Sequence, residues 1–234
     1  MRHTRHGPHL HGLTRLGLVN VYLVEEEGGL TLVDAGIAGS APAFLKAARD
    51  LGRPIRRVVL THAHVDHTGS LDALHAALPD VPVLLSAREA RLLRGERHLD
   101  PDEPQVPLRG GWRPSAVPVE LLQDGDRVGS LRVVAAPGHT PGQIALLDTR
   151  DGTLITGDAY HTVGGVTVTS ERRPLFPFPA LATWHAPSAL ATARRLAELN
   201  PARLAPGHGR VVEGPVPAMR RAVARAERGL AGPG

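Results

Sequence analysis

Residues 61–69 read THAHVDHTG, three histidines and an aspartate within six positions. In an extended chain, residues two apart point the same way. His62 and His64 therefore reach one side from the end of a short apolar strand, RRVVL, over 56–60. Asp66 and His67 follow in the turn before a helix that starts near Ser70. Four nitrogen and oxygen donors are more than one tetrahedral zinc needs from a single segment. Two neighbouring cations are expected, and with them a fold that gathers more ligands from distant loops. Three candidates stand at Gly-containing turns after apolar strands: His139 in APGHTPG, Asp158 in TGDAY and His208 in APGHG. Strand ends followed by loops are where reactive groups collect in layered α/β proteins.

The rest of the pattern alternates strand and helix. VNVYLVEEEGGLTLVDAG (19–36) reads as two strands joined at Gly28–Gly29, and APAFLKAARDLG (41–52) as a helix with a glycine stop. A helix over 70–80, a strand over 81–86 and a helix over 87–95 follow. Residues 96–118 are rich in Pro and Gly and have no period, which marks a surface excursion. Strands and tight turns resume over 131–159. A helix over 186–200, a strand and turn over 202–209 and a helix over 215–230 close the chain. A faint echo links TLVDAG with TLITGDA, each an apolar strand ending on aspartate. Two similar halves would explain it.

Composition narrows the chemistry. The chain has no cysteine, so disulfides, thiol nucleophiles and thiolate zinc sites are all absent. Hydrophobic residues make up 42% and charged residues 21% of its 234 residues, values of a soluble globular protein. No apolar run approaches the ~18 residues a membrane span needs, so no membrane partner is expected. The N-terminus, MRHTRHGPHLHG, lacks the apolar core of a secretory signal, and the expected compartment is the cytoplasm. The net charge of +4 is spread over scattered arginines, Lys46 being the single lysine, so nucleic acid is not expected as a partner. Of the thirteen histidines, His75, His98 and His161 read as surface or hydrogen-bonded core residues. His3, His6, His9 and His11 fall in an N-terminal segment, 1–18, expected to be partly mobile. Residues 19–234 are expected to form a single domain.

These residues resemble the metallo-β-lactamase-fold hydrolases. LVDAG, THAHVDHTG, PGHTPG, GDA and PGHG fall in that family's order from about Val19 to His208. The fold this implies is an α/β (α+β) four-layer αββα sandwich. The resemblance implies that His62, His64 and His139 hold one metal, that Asp66, His67 and His208 hold a second, and that Asp158 bridges them. The implied cofactors are two Zn2+, with Fe or Mn as alternatives. Asp34 resembles an aspartate that orients ligands from behind; capping the turn at Ala35–Gly36 is the competing local role.

The chemistry so implied is attack by a metal-activated water on a small-molecule ester, lactone or thioester, with Asp66 relaying a proton. Asp158 and the lack of cysteine resemble the glyoxalase-II-like and lactonase-like branches more than the β-lactam hydrolases. Lactonases of the family often carry a tyrosine three residues after the bridging aspartate. Here that position is His161, and Tyr160 is one residue early; either would assist. Phe176 and Phe178 suggest an apolar substrate wall, because four of the seven aromatics fall within 159–185. The alternatives are a mononuclear iron dioxygenase of sulfur substrates, a phosphodiesterase or nuclease, and a β-lactamase-type amide hydrolase. The expected partner is a small-molecule substrate, and a homodimer stays open.

Overall fold

The computed structural model describes residues 1–174 and 176–231. They form two compact units, Met1–Glu96 with Gly111–Gln123, and Arg97–Gly110 with Asp124 onward. Each unit is built on one large sheet with helices, a mixed α/β architecture.

The first unit carries a seven-stranded sheet whose strands lie in chain order. They are β1 (Arg2–His6), β2 (Leu10–Arg15), β3 (Val19–Glu26), β4 (Gly29–Val33), β5 (Ile55–Val59), β6 (Val83–Ser86) and β7 (Glu120–Leu122). β1 to β4 form an antiparallel meander, and β4 to β7 pair in parallel. Parallel neighbours need crossovers. These are supplied by α1 (Ala41–Asp50), by the short α2 (Val65–Thr68) with α3 (Leu71–Ala77), and by α4 (Ala87–Leu93) before the long excursion. β4 is buried along its whole length, as expected of a parallel-paired central strand. Leu32, Val33, Phe44, Val59 and Leu60 are fully buried, and burying each such side chain contributes ~1.5–3 kcal/mol.

The sequence points to a partly mobile segment over 1–18. In the structure this segment forms two paired strands, with Leu10 and Leu13 each 2% exposed. The polar composition conceals this: arginine and histidine dominate β1, while β2 is buried from Leu10 to Leu13. His11 is buried in β2. Its Nε2–H donates to Glu25 Oε1 at 2.8 Å, and its Nδ1 lies 3.0 Å from His3 Nε2. The hydrogen bond from His11 is the main reason the Glu25 carboxyl titrates below the ordinary glutamate range. A lowered folded-state value stabilises the protein above the unfolded pKa of ~4.3 and ceases to do so as pH falls through the lowered value. Glu25→Gln is therefore expected to cost about 1 kcal/mol at neutral pH. That difference should shrink as pH falls below the ordinary glutamate range, as read by urea denaturation at neutral and at acid pH.

The second unit carries a six-stranded sheet in the order β15-β14-β11-β10-β9-β8. Its strands are β8 (Arg127–Val128), β9 (Leu131–Ala135), β10 (Ile144–Asp148), β11 (Thr153–Gly157), β14 (Arg203–Pro206) and β15 (Val212–Glu213). β12 (Tyr160–His161) and β13 (Thr167–Val168) form a separate hairpin, followed by α5 (Phe178–Ala182). The helices α6 (Ala186–Glu198) and α7 (Val216–Ala231) complete the unit. α6 buries Ala189, Leu190, Ala193, Leu196 and Ala197, the i, i+4, i+7 stripe of an amphipathic helix. Met219, Ala222 and Ala226 of α7 share its core cluster.

Each unit contains one parallel strand pair that prepares a ligand loop. β4 and β5 run side by side, with Asp34 following one and Thr61–His62 the other. β11 and β14 run side by side, with Asp158 following one and His208 the other. The echo between TLVDAG and TLITGDA is thus a repeated parallel pair ending on an aspartate.

Candidate metal centre

In the first unit, β5 ends at Val59 and the chain runs extended into His64, which caps α2 with φ −67° and ψ 150°. The extended backbone puts the rings of His62 and His64 on one side, with centroids 4.9 Å apart. The one-turn helix α2 then swings His67 back over His62, 4.1 Å between centroids. Asp66 Oδ2 lies 3.9 Å from His67 Nε2. Gly69 closes the motif because a Cβ there would meet the backbone of Ala38 and Val65 at 2.6 and 2.7 Å. His62, His64 and His67 are buried, while the Asp66 side chain keeps 33% of its surface exposed.

The buried carboxylate of Asp34 braces this loop. Its Oδ1 accepts from Thr61 N at 2.7 Å, and its Oδ2 accepts from His67 Nδ1–H at 2.8 Å. Thr61 Oγ1 also donates to it, which leaves His62 Nδ1–H to donate to Thr61 Oγ1 at 3.0 Å. Asp34 holds a left-handed backbone, φ +67°, to do so, a conformation aspartate tolerates better than most residues. The carboxylate is thus committed to the ligand loop.

Trp112 forms a β-bridge with His64, and the two rings lie 4.4 Å apart edge to face. The Pro/Gly-rich excursion therefore contributes to the site, which nothing in its composition signals.

In the second unit, His139, Asp158 and His208 come from three loops, after β9, β11 and β14. One Asp158 oxygen, Oδ2, lies 3.5 Å from His139 Nε2 and 3.1 Å from His208 Nε2. His139 Nδ1–H is held by Thr169 Oγ1 at 3.0 Å and Thr183 Oγ1 at 3.2 Å. Thr183 Oγ1 in turn donates to Pro179 O at 2.7 Å. Neither threonine was marked by its sequence spacing, 30 and 44 positions from the histidine. The loop itself docks on α6 through Gly138, whose missing Cβ lets Ala189 approach.

Tyr160 is withdrawn from the chemistry proposed for it. It is fully buried and its hydroxyl donates to Ala193 O at 2.6 Å, inside the packing against α6. Burial raises its pKa well above the ordinary tyrosine value. His161 is also buried, 1% exposed, but neither ring nitrogen has a hydrogen-bond partner. Burial is the largest cause pushing its pKa down to about 4, so the ring is neutral at physiological pH. Phe176 packs 5.5 Å from both the His161 and His208 rings, with Phe178 next to it and 67% exposed. Trp184 is spent on the fold, donating from Nε1 to Val106 O at 3.0 Å. His98 is exposed and His75 half-buried.

The donor set fits divalent cations. Imidazole nitrogens and carboxylate oxygens with no thiolate suit zinc, iron or manganese. Metal-binding histidines almost always give their other N–H to a carboxylate or hydroxyl that fixes the tautomer. His62, His67 and His139 each have Nδ1 held in this way, which directs Nε2 to the site.

A family model for the metallo-beta-lactamase superfamily matches residues 14–208. YobT of Bacillus subtilis is 45% identical over 214 residues, covering 90% of this chain and 91% of that protein. The chicken acyl-coenzyme A thioesterase MBLAC2 is 33% identical over 165 residues, covering 61% of this chain and 57% of MBLAC2. Among solved structures, TTHA1623 in a di-iron-bound form aligns with TM-score 0.66 and 28% identity, over 88% of this chain and 95% of that one. Fold, donor groups and relatives define a metal-dependent hydrolase. The chain belongs to the metallo-β-lactamase superfamily. Among the described residues, no helix is long and apolar enough to cross a membrane.

Proposed function

We propose that the two units act as one domain holding two metal ions, and that the chain hydrolyses a small-molecule ester, lactone or thioester in the cytoplasm. In this reading His62, His64 and His139 hold one ion. Asp66, His67 and His208 hold the other, and Asp158 bridges. The observation that carries it is the single Asp158 oxygen set against the Nε2 atoms of two histidines, where a bridging carboxylate belongs. When bound, two such cations supply Lewis-acid polarisation of a carbonyl and a water acidified toward pKa ~7.

The chain's own groups do the rest. Asp34, Thr61, Thr169 and Thr183 fix the imidazoles so that no reorientation is needed during reaction. Asp66 is the one carboxylate of the set with substantial exposure, so its oxygen can pass a proton to solvent. His161, neutral and buried beside Phe176, offers one donor and one acceptor to an uncharged polar atom of the substrate. Phe176 and Phe178 form an apolar wall for an acyl or aryl group. The thioester option gains support from MBLAC2, named as an acyl-coenzyme A thioesterase.

Iron occupancy gains support from TTHA1623, which was solved with two irons. Elemental analysis of protein purified without added metal, with a panel of lactones, thioesters, aryl esters, phosphodiesters and β-lactams, tests the reading. Two metals per chain with ester, lactone or thioester turnover is expected. A single iron with oxygen uptake would replace hydrolysis by dioxygenase chemistry.

A further inference from the structure

Glu89 is a fully buried carboxylate with no part in the chemistry above. Its sequence setting, Ser86-Ala87-Arg88-Glu89 at the start of α4, is that of a capping box. That motif would spend the glutamate on its own helix end. The helix end is capped in that way, with Glu89 N donating to Ser86 Oγ at 3.2 Å. The carboxylate reaches across to the ligand loop, where Oε2 accepts from Ala63 N–H at 2.8 Å.

Ala63 is the residue between His62 and His64. Its backbone sets the alternation that turns both rings to the same side. Asp34 holds the flanking amide, Thr61 N, and Glu89 holds Ala63 N. Taking a carboxylate out of water costs several kcal/mol. Helix capping alone does not require that, since an exposed glutamate caps equally well. A charge-assisted bond to a backbone amide is stiff and directional.

We infer that Glu89 is a positioning residue that locks the Ala63 peptide and thereby presets the His62–His64 pair for metal. The inference rests on the two-metal reading above. The test is zinc affinity by chelator competition, with melting of the metal-free protein alongside, for wild type, Glu89→Gln and Glu89→Met. Glutamine keeps an acceptor oxygen, while methionine keeps the volume and removes it.

Glu89→Met should weaken zinc binding about 10- to 100-fold, the range for residues that orient metal ligands. Glu89→Gln should weaken it at least about threefold and less than methionine does. A purely structural role would lower the melting temperature of the metal-free protein and leave the affinity of the folded chain unchanged. Affinities within about twofold of wild type for both variants overturn the inference. If Glu89→Met does not fold, Glu89→Gln decides by the same threshold. Wild type that takes up no zinc defeats the two-metal reading itself, a result distinct from variants that bind as wild type does.

Discussion

Replacing His64 and Asp158 together by alanine should reduce turnover by at least about a thousandfold, ~4 kcal/mol of transition-state stabilisation, in a chain that still folds. His64 contributes to the proposed first metal and Asp158 to both. Losing the Asp158 carboxylate removes the partner that His139 Nε2 and His208 Nε2 share. Metal content should fall from two per chain to one or fewer. Circular dichroism and a cooperative melt should remain, because neither side chain belongs to the apolar core of its unit. Turnover and metal content like those of wild type in the double variant would sink the proposed centre.

The largest effect on stability is expected at Gly138. Its φ of +138° lies where L side chains are strained, and a Cβ there would overlap the backbone N and Cα of Ala189. Backbone cannot rotate aside as a side chain does, so α6 or the His139 loop must move. Gly138→Ala should cost about 4 kcal/mol or more. For a chain of this size that lowers the melting temperature by about 10 °C. His139 adjoins the displaced residue, so metal affinity should fall as well. Gly164→Ala is the control: its φ is +74°, but a Cβ there meets open space. It should show the backbone penalty alone, about 1–2 kcal/mol. Equal effects at the two glycines would show that the approach of Ala189 is not what demands glycine at 138.

Much of this was legible in the sequence because ligand loops follow short buried strands. RRVVL before THAHVDHTG and TLITG before Asp158 each announce where a strand stops and polar donors begin. The two strands over 19–36 and the helices over 41–52 and 186–200 are recovered within three residues, since their periodicity is strong. Asp34 could be singled out by its place after an apolar strand. Its rival role as a turn cap is set aside only by seeing Thr61 and His67 on its oxygens.

What the pattern concealed are partners that meet through tertiary structure alone. Thr169, Thr183 and Trp112 carry no local mark of their role, and the Ser-x-x-Glu setting of Glu89 announces a helix end without its bond to Ala63. The strands over 2–15 were concealed by histidine and arginine. With Leu10 and Leu13 as its large apolar residues, three positions apart, the segment shows no strand period and reads as tail unless the neighbouring strand is known.

The repeated parallel pairs bear on the order in which the molecule can assemble. Between Val33 and Ile55 the chain makes one compact crossover through α1 before β4 and β5 meet. Between Gly157 and Arg203 it must complete a hairpin and two helices before β11 and β14 do. That span is roughly twice as long, and each doubling adds only about 0.6 kcal/mol of closure entropy. The delay is therefore kinetic more than energetic, since distant pairings form late. During refolding, amides of β4 and β5 should gain protection from hydrogen exchange before those of β11 and β14, so the Asp158–His208 corner is the last to take shape.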